Sequence, residues 1–332
     1  MQCKDSFGNG VFLHTGAIGD CLLTLPLAIA LKNDCSLHRL DFIGPSEYIE
    51  FYPGRTCIDT VKSVESIPLH RLFIPSREFE TSDHDRLTGL FRNYEQVVSF
   101  IGYDNTAFET NLLFTVHSTH SAEVVVIPFK PPSNANMHVS DFYLHFYRQD
   151  QQIDHPFAPP LTTVTPLPDD YLAGAAIIEH TGLTLDRPIV LIQPGSGSLD
   201  KCWYWENFIQ TAHDLQSRSI QPVFLLGPAE QEYFPKQGLE ALGFFNVLEN
   251  LSLTQVVQVL TQADAFLGND SGISHLAAGM GKRTLVLFGN SDPTHYAPRG
   301  EKVVIEQIPA DNFHRSVPDK QATIINKLME ML

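Results

Sequence analysis

Five short apolar runs in the second half of the chain constrain the fold more than any other feature. They are "PIVLIQPG" (188–195), "QPVFLLGP" (221–228), "FNVLE" (245–249), "DAFLGND" (264–270) and "TLVLFGN" (284–290). Each is rich in aliphatic, β-branched or aromatic residues and runs into a turn signal, and most are followed by an amphipathic helical pattern. Strands that are apolar on both faces must be covered on both faces, so this rhythm predicts a parallel sheet between helices. The first half has a looser version of it, in "VFLHT" (11–15), "LDFIG" (40–44), "QVVSFI" (96–101) and "EVVVIP" (123–128). "SLTQVVQVLTQA" (252–263) has helical periodicity and opens with Ser252 and Gln255 at the spacing of a capping box. The halves share this α/β rhythm without a residue-level repeat.

"DHPFAPPLTTVTPLPDDY" places five prolines within residues 154–171. Proline fixes φ and removes a donor, which suits neither a helix interior nor a central strand. The expected organisation is therefore a first domain over 1–155, a Pro-rich linker over 156–168 and a second domain over 169–316. An amphipathic helix over about 317–332, "KQATIINKLMEML" at its core, is expected to pack back on the first domain. "DHDRLTGLFRNYEQ" (83–96) reads as a solvated loop and helix.

Charge excludes some function classes. The 332 residues carry a formal net charge of −16, and each half, divided at residue 165, has 11 basic and 19 acidic residues. That leaves no basic stripe for a nucleic-acid backbone and no basic amphipathic segment for an anionic membrane. Any anionic substrate must be met by a few local cations against the overall field. The five cysteines form no CxxC pair, and no apolar run reaches the ~18 residues of a membrane span. The N-terminal stretch has no apolar signal region, so a cytoplasmic protein is expected.

Three loops concentrate polar chemistry. In "HTGAIGDCLLTLPLAIALKN" (14–33), Gly16, Ala17, Gly19 and Asp20 stand between a strand and a helix. The dinucleotide pattern G-x-G-x-x-G would need glycine where His14 stands, which argues against a nicotinamide site even though Asp41 lies at about the right distance for a ribose contact. Asp20 reads either as a cap on the helix dipole or as a group facing a ligand that the glycines let approach. Pro26 marks either a kink or a helix that starts there.

In "QPGSGSLDKCWYWENF" (193–208), glycines, Ser196, Ser198 and Lys201 converge on a helix start, as an anion such as diphosphate requires, although a solvated Ser/Gly loop reads equally well. In "GNDSGISHLAAGMG" (268–281), Asp270 ends a strand, Ser271 and Gly272 open a helix, and His275 follows Ser271 by four residues on the same face. "LLGPAEQE" (225–232) adds Glu230, which either accepts from ribose hydroxyls or begins an exposed helix. Strand C-termini gather at one sheet edge, so these loops should share a ligand-facing rim. The only D-x-D, Asp83-His84-Asp85, follows polar sequence and reads as surface, not as a metal site.

With "TGAIGDCLLTLP", "PGSGSLDKCW", "LGPAEQE" and "GNDSGISHLAAGMGKRTLVLFGNSDPTHYAP", the chain resembles the family 9 glycosyltransferases, the heptosyltransferases of lipopolysaccharide inner-core synthesis. The resemblance covers most of residues 190–300 and the first helix. It implies a GT-B fold: two Rossmann-like doubly wound domains facing a central cleft, with acceptor bound by the first domain and nucleotide sugar by the second.

Carried over by position, Asp20 would be the catalytic base, with Gly16, Ala17 and Gly19 as its loop. Ser196, Gly197, Ser198 and Lys201 would hold the donor phosphates, Glu230 would meet the ribose, and Leu251 would line the adenine. Asp270 would hold hydroxyls of the transferred sugar, with Ser271, Gly272 and His275 near the diphosphate. His14 stands where the family commonly has arginine, and Tyr204 where many members have proline.

The implied reaction is inverting, metal-independent transfer of a heptose-like sugar from a nucleotide-sugar donor, expected to be ADP-linked, to a saccharide or lipid-linked saccharide. No cofactor, metal or nucleic acid is expected, and any membrane association would be peripheral at the inner membrane. The competing readings are a GT-B transferase or epimerase using a UDP-sugar, and a non-catalytic nucleotide-sugar binder.

Overall fold

A computed structural model describes residues 8–132, 135–152, 158, 160–228, 230 and 234–332. It divides into two compact units, Met1–Pro160 and Leu161–Leu332. The first unit contains strands β1 (Asn9–Leu13), β2 (Arg39–Gly44), β3 (Thr60–Ser63), β4 (Gln96–Ser99) and β5 (Glu123–Val126). All neighbouring pairs are parallel, in the order β3-β2-β1-β4-β5. Helices α1 (Ile18–Leu23), α2 (Leu25–Asp34), α3 (Thr106–His117) and α4 (Val139–Gln151) are its main helical elements.

Alternation along β1 feeds both faces of this sheet. Val11 and Leu13 join Val97, Phe108, Leu112 and Val116 in one apolar cluster. Phe12, between them, packs instead against Phe42 and Phe100. Pro26 marks a true helix start. The chain breaks at Thr24 and α2 begins with Pro26 in its first turn, where the missing N–H has no intrahelical partner to lose.

The second unit contains β6 (Ile189–Gln193), β7 (Gln221–Leu226), β8 (Asn246–Glu249), β9 (Ala265–Asn269), β10 (Arg283–Phe288) and β11 (Val303–Gln307), in the order β11-β10-β9-β6-β7-β8 and parallel throughout. This is the six-stranded doubly wound order, with the chain reversing direction across the sheet between β6 and β9. Its helices include α5 (Pro168–His180), α6 (Trp205–Ser217), α7 (Leu253–Gln262), α8 (Gly272–Gly279) and α9 (Pro318–Met331). Ser252 caps α7 with Gln255 reaching back to it, as its spacing predicted.

Two expectations about organisation are corrected. The C-terminal helix α9, expected on the first domain, takes its core contacts within the second unit. Its Ile324, Ile325 and Leu328 share a core with Phe208 and Leu215 of α6 and with Leu285 and Leu287 of β10. The apolar face of α9 thus completes the cover of its own sheet. The Pro-rich segment is also not a surface linker to its end. The N–H groups of Thr163 and Val164 both donate to the carbonyl of Gly279, and Val164 is fully buried. Of the expected linker, residues 156, 157 and 159 lie outside the described residues. "DHDRLTGLFRNYEQ" is less solvated than its composition implies: Asp85 caps a short helix, Arg86–Phe91, whose Leu87 and Phe91 are buried. Among the described residues no helix is long and apolar enough to cross a membrane.

Candidate functional site

In the first unit the loop after β1 starts at the point where the sheet order reverses. The His14 N–H extends the sheet by donating to the Ile43 carbonyl at 2.9 Å. Its imidazole is fully buried against Phe100 and Phe129, each with ring centroids 5.1 Å away. Nδ1 accepts the Gly16 N–H at 3.0 Å, and Cys21 Sγ lies 3.4 Å from the same nitrogen. Nε2 has no hydrogen-bond partner among the described residues. Burial pushes the His14 pKa down to about 3, so the ring is neutral near pH 7.

Gly16 is required here by space. A Cβ on it would lie 2.5 Å from the His14 ring, 2.7 Å from Asp20 Cβ and 2.8 Å from the tip of Phe129. Asp20 is the third residue of α1, and its Oδ2 accepts the N–H of Ala17 at 3.1 Å. The capping role is therefore real. Asp20 as a residue also remains partly exposed, with Ala17 exposed beside it and Gly16 and Gly19 partly so. A cap and a ligand-facing group are compatible in one side chain.

Asp41 belongs to neither kind of site. It is 1% exposed within β2, held by Arg39 through two hydrogen bonds and by Thr60 and Tyr94. Burial pushes its carboxyl up, but these bonds outweigh it and hold the pKa below the usual carboxylate value. The dinucleotide reading of that aspartate is excluded by its occupied oxygens.

In the second unit Gln193, the last residue of β6, pairs in register with Gly268 of β9, so the loops after both strands leave the sheet at one height. Lys201 Nζ donates to Asp270 Oδ2 at 2.7 Å, and Ser196 Oγ donates to the Asp270 carbonyl at 2.5 Å. Ser271 caps α8 by accepting the Ser274 N–H, and its own hydroxyl donates to Gln193 Oε1 at 2.6 Å. His275 lies one turn into α8 and is 8% exposed. Gly197 and Ser198 are exposed, and a Cβ on Gly197 would meet nothing within 4 Å. One partly exposed ammonium, one exposed hydroxyl and the first-turn amides of α8, with Gly272 partly exposed at its start, thus gather at the switch point. That set can receive an anion.

Glu230 does not begin an exposed helix. It is 1% exposed, with Oε1 accepting the Gly195 N–H at 2.9 Å and the Gln193 amide at 3.2 Å, and Oε2 accepting the Gly227 N–H at 2.8 Å. Burial pushes its carboxyl above the ordinary value, only partly offset by those donors. It staples the loops after β6 and β7 together, and it borders a cavity of about 360 Å³ walled by Leu199, Trp203, Trp205 and Phe234. Leu251 does not line that cavity. It follows β8, two strands from β6, about 10 Å across the sheet at the usual strand spacing.

Two residues of this framework lie within the quoted loops, although the sequence assigns them no role. Gln193 joins Ser271 to Glu230, and Asn269 accepts the Trp203 N–H at 3.0 Å while donating to the Pro194 carbonyl at 2.7 Å. The signal for both is a polar residue closing an otherwise apolar strand, "IVLIQ" and "AFLGN", at one sheet edge.

The profile of glycosyltransferase family 9 (heptosyltransferase) matches residues 134–321. The lipopolysaccharide core heptosyltransferase OpsX of Haemophilus influenzae is 27% identical over 174 residues, 52% of this chain and 46% of that protein. Lipopolysaccharide heptosyltransferase 1 of Escherichia coli K12 is 26% identical over 114 residues, 34% of this chain and 36% of that protein. The chain thus spans about half the length, or less, of the curated relatives it matches.

Among solved structures, a family 9 glycosyl transferase from Veillonella parvula superposes with a TM-score of 0.73 at 14% identity, covering 100% of this chain and 98% of that one. The E. coli ADP-heptose lps heptosyltransferase II superposes at 0.70 and 15% identity, covering 98% of each. At these identities the likeness establishes the fold, which is α/β of the GT-B class with two Rossmann-like doubly wound domains.

Proposed function

The chain belongs to glycosyltransferase family 9, and from that premise we propose that it transfers a heptose-like sugar from an ADP-linked donor to a lipopolysaccharide-type saccharide. The transfer inverts the anomeric centre and uses no metal. The observation that carries this reading is the convergence of Lys201, Ser198, Asp270 and the start of α8 at the switch point of the second sheet.

In the proposed reaction the acceptor hydroxyl gives its proton to Asp20 as its oxygen bonds to the anomeric carbon. The bond from that carbon to the diphosphate oxygen breaks in the same displacement. A positioned base of this kind contributes ~10²–10⁴-fold. Negative charge grows on the departing diphosphate, where Lys201, Ser198 and the first-turn amides of α8 are the stabilising groups. Asp270, on the other side of the Lys201 ammonium, accepts from hydroxyls of the transferred sugar. Ser196, whose hydroxyl bonds the Asp270 carbonyl, and Ser271, whose hydroxyl bonds Gln193, act by shaping this loop pair. His275 stands on the diphosphate side and Gly197 gives the phosphates room. Glu230, with both carboxylate oxygens held by the Gly195, Gln193 and Gly227 donors, acts by fixing the loops that face the ribose, and Leu251 lies toward the adenine. The proposed location is the cytoplasm, at most peripheral at the inner membrane.

A thermal-shift panel of ADP-, GDP- and UDP-sugars tests the donor assignment. A ligand at ~100 Kd adds about 2.7 kcal/mol of stability, so the ADP-linked sugar should raise Tm clearly above the other two. Preference for a UDP- or GDP-sugar, or no shift with any of the three, contradicts it.

A further inference from the structure

In the first unit a cavity of about 540 Å³ opens beyond the C-terminal ends of β4 and β5, next to the switch point between β1 and β4. Phe100, Tyr103 and Asp104 line it from the loop after β4, and Phe129 and Lys130 from the loop after β5. We propose that this cavity is a saccharide subsite that stacks a neutral pyranose ring on Tyr103 and holds its hydroxyls with Asp104 and Lys130. The proposal rests on the glycosyltransferase reading, which calls for an acceptor sugar on this unit.

Position is the first argument. Ligands of open parallel sheets bind beyond the strand C-termini where the strand order reverses. The Phe129 ring tip and Asp20 Cβ both crowd Gly16, at 2.8 and 2.7 Å from where its Cβ would be. Phe129, which lines the cavity, therefore also lies within a residue's width of Asp20, the residue assigned as base.

The walls are built rather than incidental. Gly102 has φ +80, and a Cβ there would strike the Phe108 ring at 2.1 Å. The Asn105 side chain caps α3 and its N–H donates to the Gly102 carbonyl. The Tyr143 hydroxyl donates to the Phe129 carbonyl at 2.8 Å, and Phe100 packs edge-on to Tyr143. Against this framework Tyr103 is 40% exposed and meets Phe146 edge-on, which leaves ring surface available.

Chemistry selects the ligand class. A pyranose presents C–H groups on one face and hydroxyls around its rim, so it needs an aromatic surface with acceptors and donors beside it. The volume falls within the ~300–1,000 Å³ of small-molecule sites. The one carboxylate and the one ammonium offset each other, which favours a neutral polyhydroxylated ring over a polyanion.

Ligand-observed saturation-transfer NMR on the full chain tests this, using methyl glycopyranosides of gluco, galacto and manno configuration, a methyl glucuronide, and ADP as competitor. At least one neutral glycoside should receive saturation, at a level unchanged by ADP. Tyr103→Ala should reduce that signal at least fivefold and Tyr103→Phe should restore it, with ADP affinity within twofold of the parent in both. Asp104→Asn suits the positive φ of 62 at that position and should also reduce it fivefold. Should Tyr103→Ala fail to fold, Asp104→Asn decides.

No neutral glycoside bound, preference for the glucuronide, displacement by ADP, or binding that survives Tyr103→Ala and Asp104→Asn would overturn the subsite. Loss of ADP binding by the parent chain with glycoside binding intact would overturn the donor reading alone.

Discussion

The ammonium of Lys201 and the carboxylate of Asp270 lie 2.7 Å apart, joining the loop after β6 to the end of β9 at the point where the second sheet reverses. The pair is asymmetric: the lysine side chain is 41% exposed and the aspartate 5%. The cation can therefore turn toward a ligand while the carboxylate stays fixed. Lys201→Met should weaken ADP binding about 10–100-fold, the loss of a charged hydrogen bond worth roughly 1.5–3 kcal/mol. Asp270→Asn should leave ADP binding unchanged or tighter but remove the extra affinity of an ADP-sugar over ADP. Titration calorimetry with both ligands separates the two roles. Equal losses of ADP affinity in the two variants would contradict them.

Gly195 and Gly197 are two residues apart in one loop and should respond oppositely to alanine. A Cβ on Gly195 would lie 2.2 Å from Glu230 Oε1, whereas one on Gly197 meets nothing within 4 Å. Gly195→Ala must displace a buried carboxylate from its donors and should destabilise the second unit by about 1–3 kcal/mol. Gly197→Ala should leave Tm within about 1 °C, as expected of a surface substitution. Thermal denaturation of both variants, without ligand, checks the contrast.

The buried imidazole of His14 makes stability depend on pH. Folded, it titrates at about 3, and in the unfolded chain near 6.5. Between these values the unfolded chain binds a proton that the folded chain does not. The contribution is complete above pH 6.5 and is lost as pH falls toward 3, by at most about 1.4 kcal/mol per pH unit. His14→Phe keeps the aromatic packing and strands the Gly16 N–H, so it should be less stable at pH 7 yet lose less stability on acidification. Urea midpoints from pH 7.5 to 4.5 for both proteins measure this, and parallel pH profiles would contradict it.

The central strands were legible because they are apolar on both faces: "IVLIQ" and "QPVFLL" are buried at every position. The edge strands β3 and β11 were not read. "TVKS" is only partly buried at all four positions and "VVIEQ" is nowhere fully buried, so neither produces the uninterrupted apolar signal of a covered strand. The α9 helix shows an apolar stripe in sequence, but a stripe says nothing about which sheet it covers.

In the site, Ser196, Lys201, Asp270 and Ser271 come together as their loop positions implied, because register places the ends of β6 and β9 side by side. Glu230 was open between two readings, and its present bonds match neither: a carboxylate that ties two loops through backbone amides leaves no spacing pattern. Gln193 and Asn269 were missed for the same reason, since their partners are loop carbonyls, amides and hydroxyls distant in sequence.

The base assignment of Asp20 is tested most directly by Asp20→Asn, whose side-chain carbonyl can still accept the Ala17 N–H and so preserve the start of α1. The measurement is ADP release from an ADP-linked heptose in the presence of a truncated lipopolysaccharide acceptor, alongside calorimetric ADP affinity. The account predicts a fall in kcat of about 10²-fold or more, with ADP affinity within a few-fold of the parent. Transfer that persists at the parent rate in Asp20→Asn would contradict it.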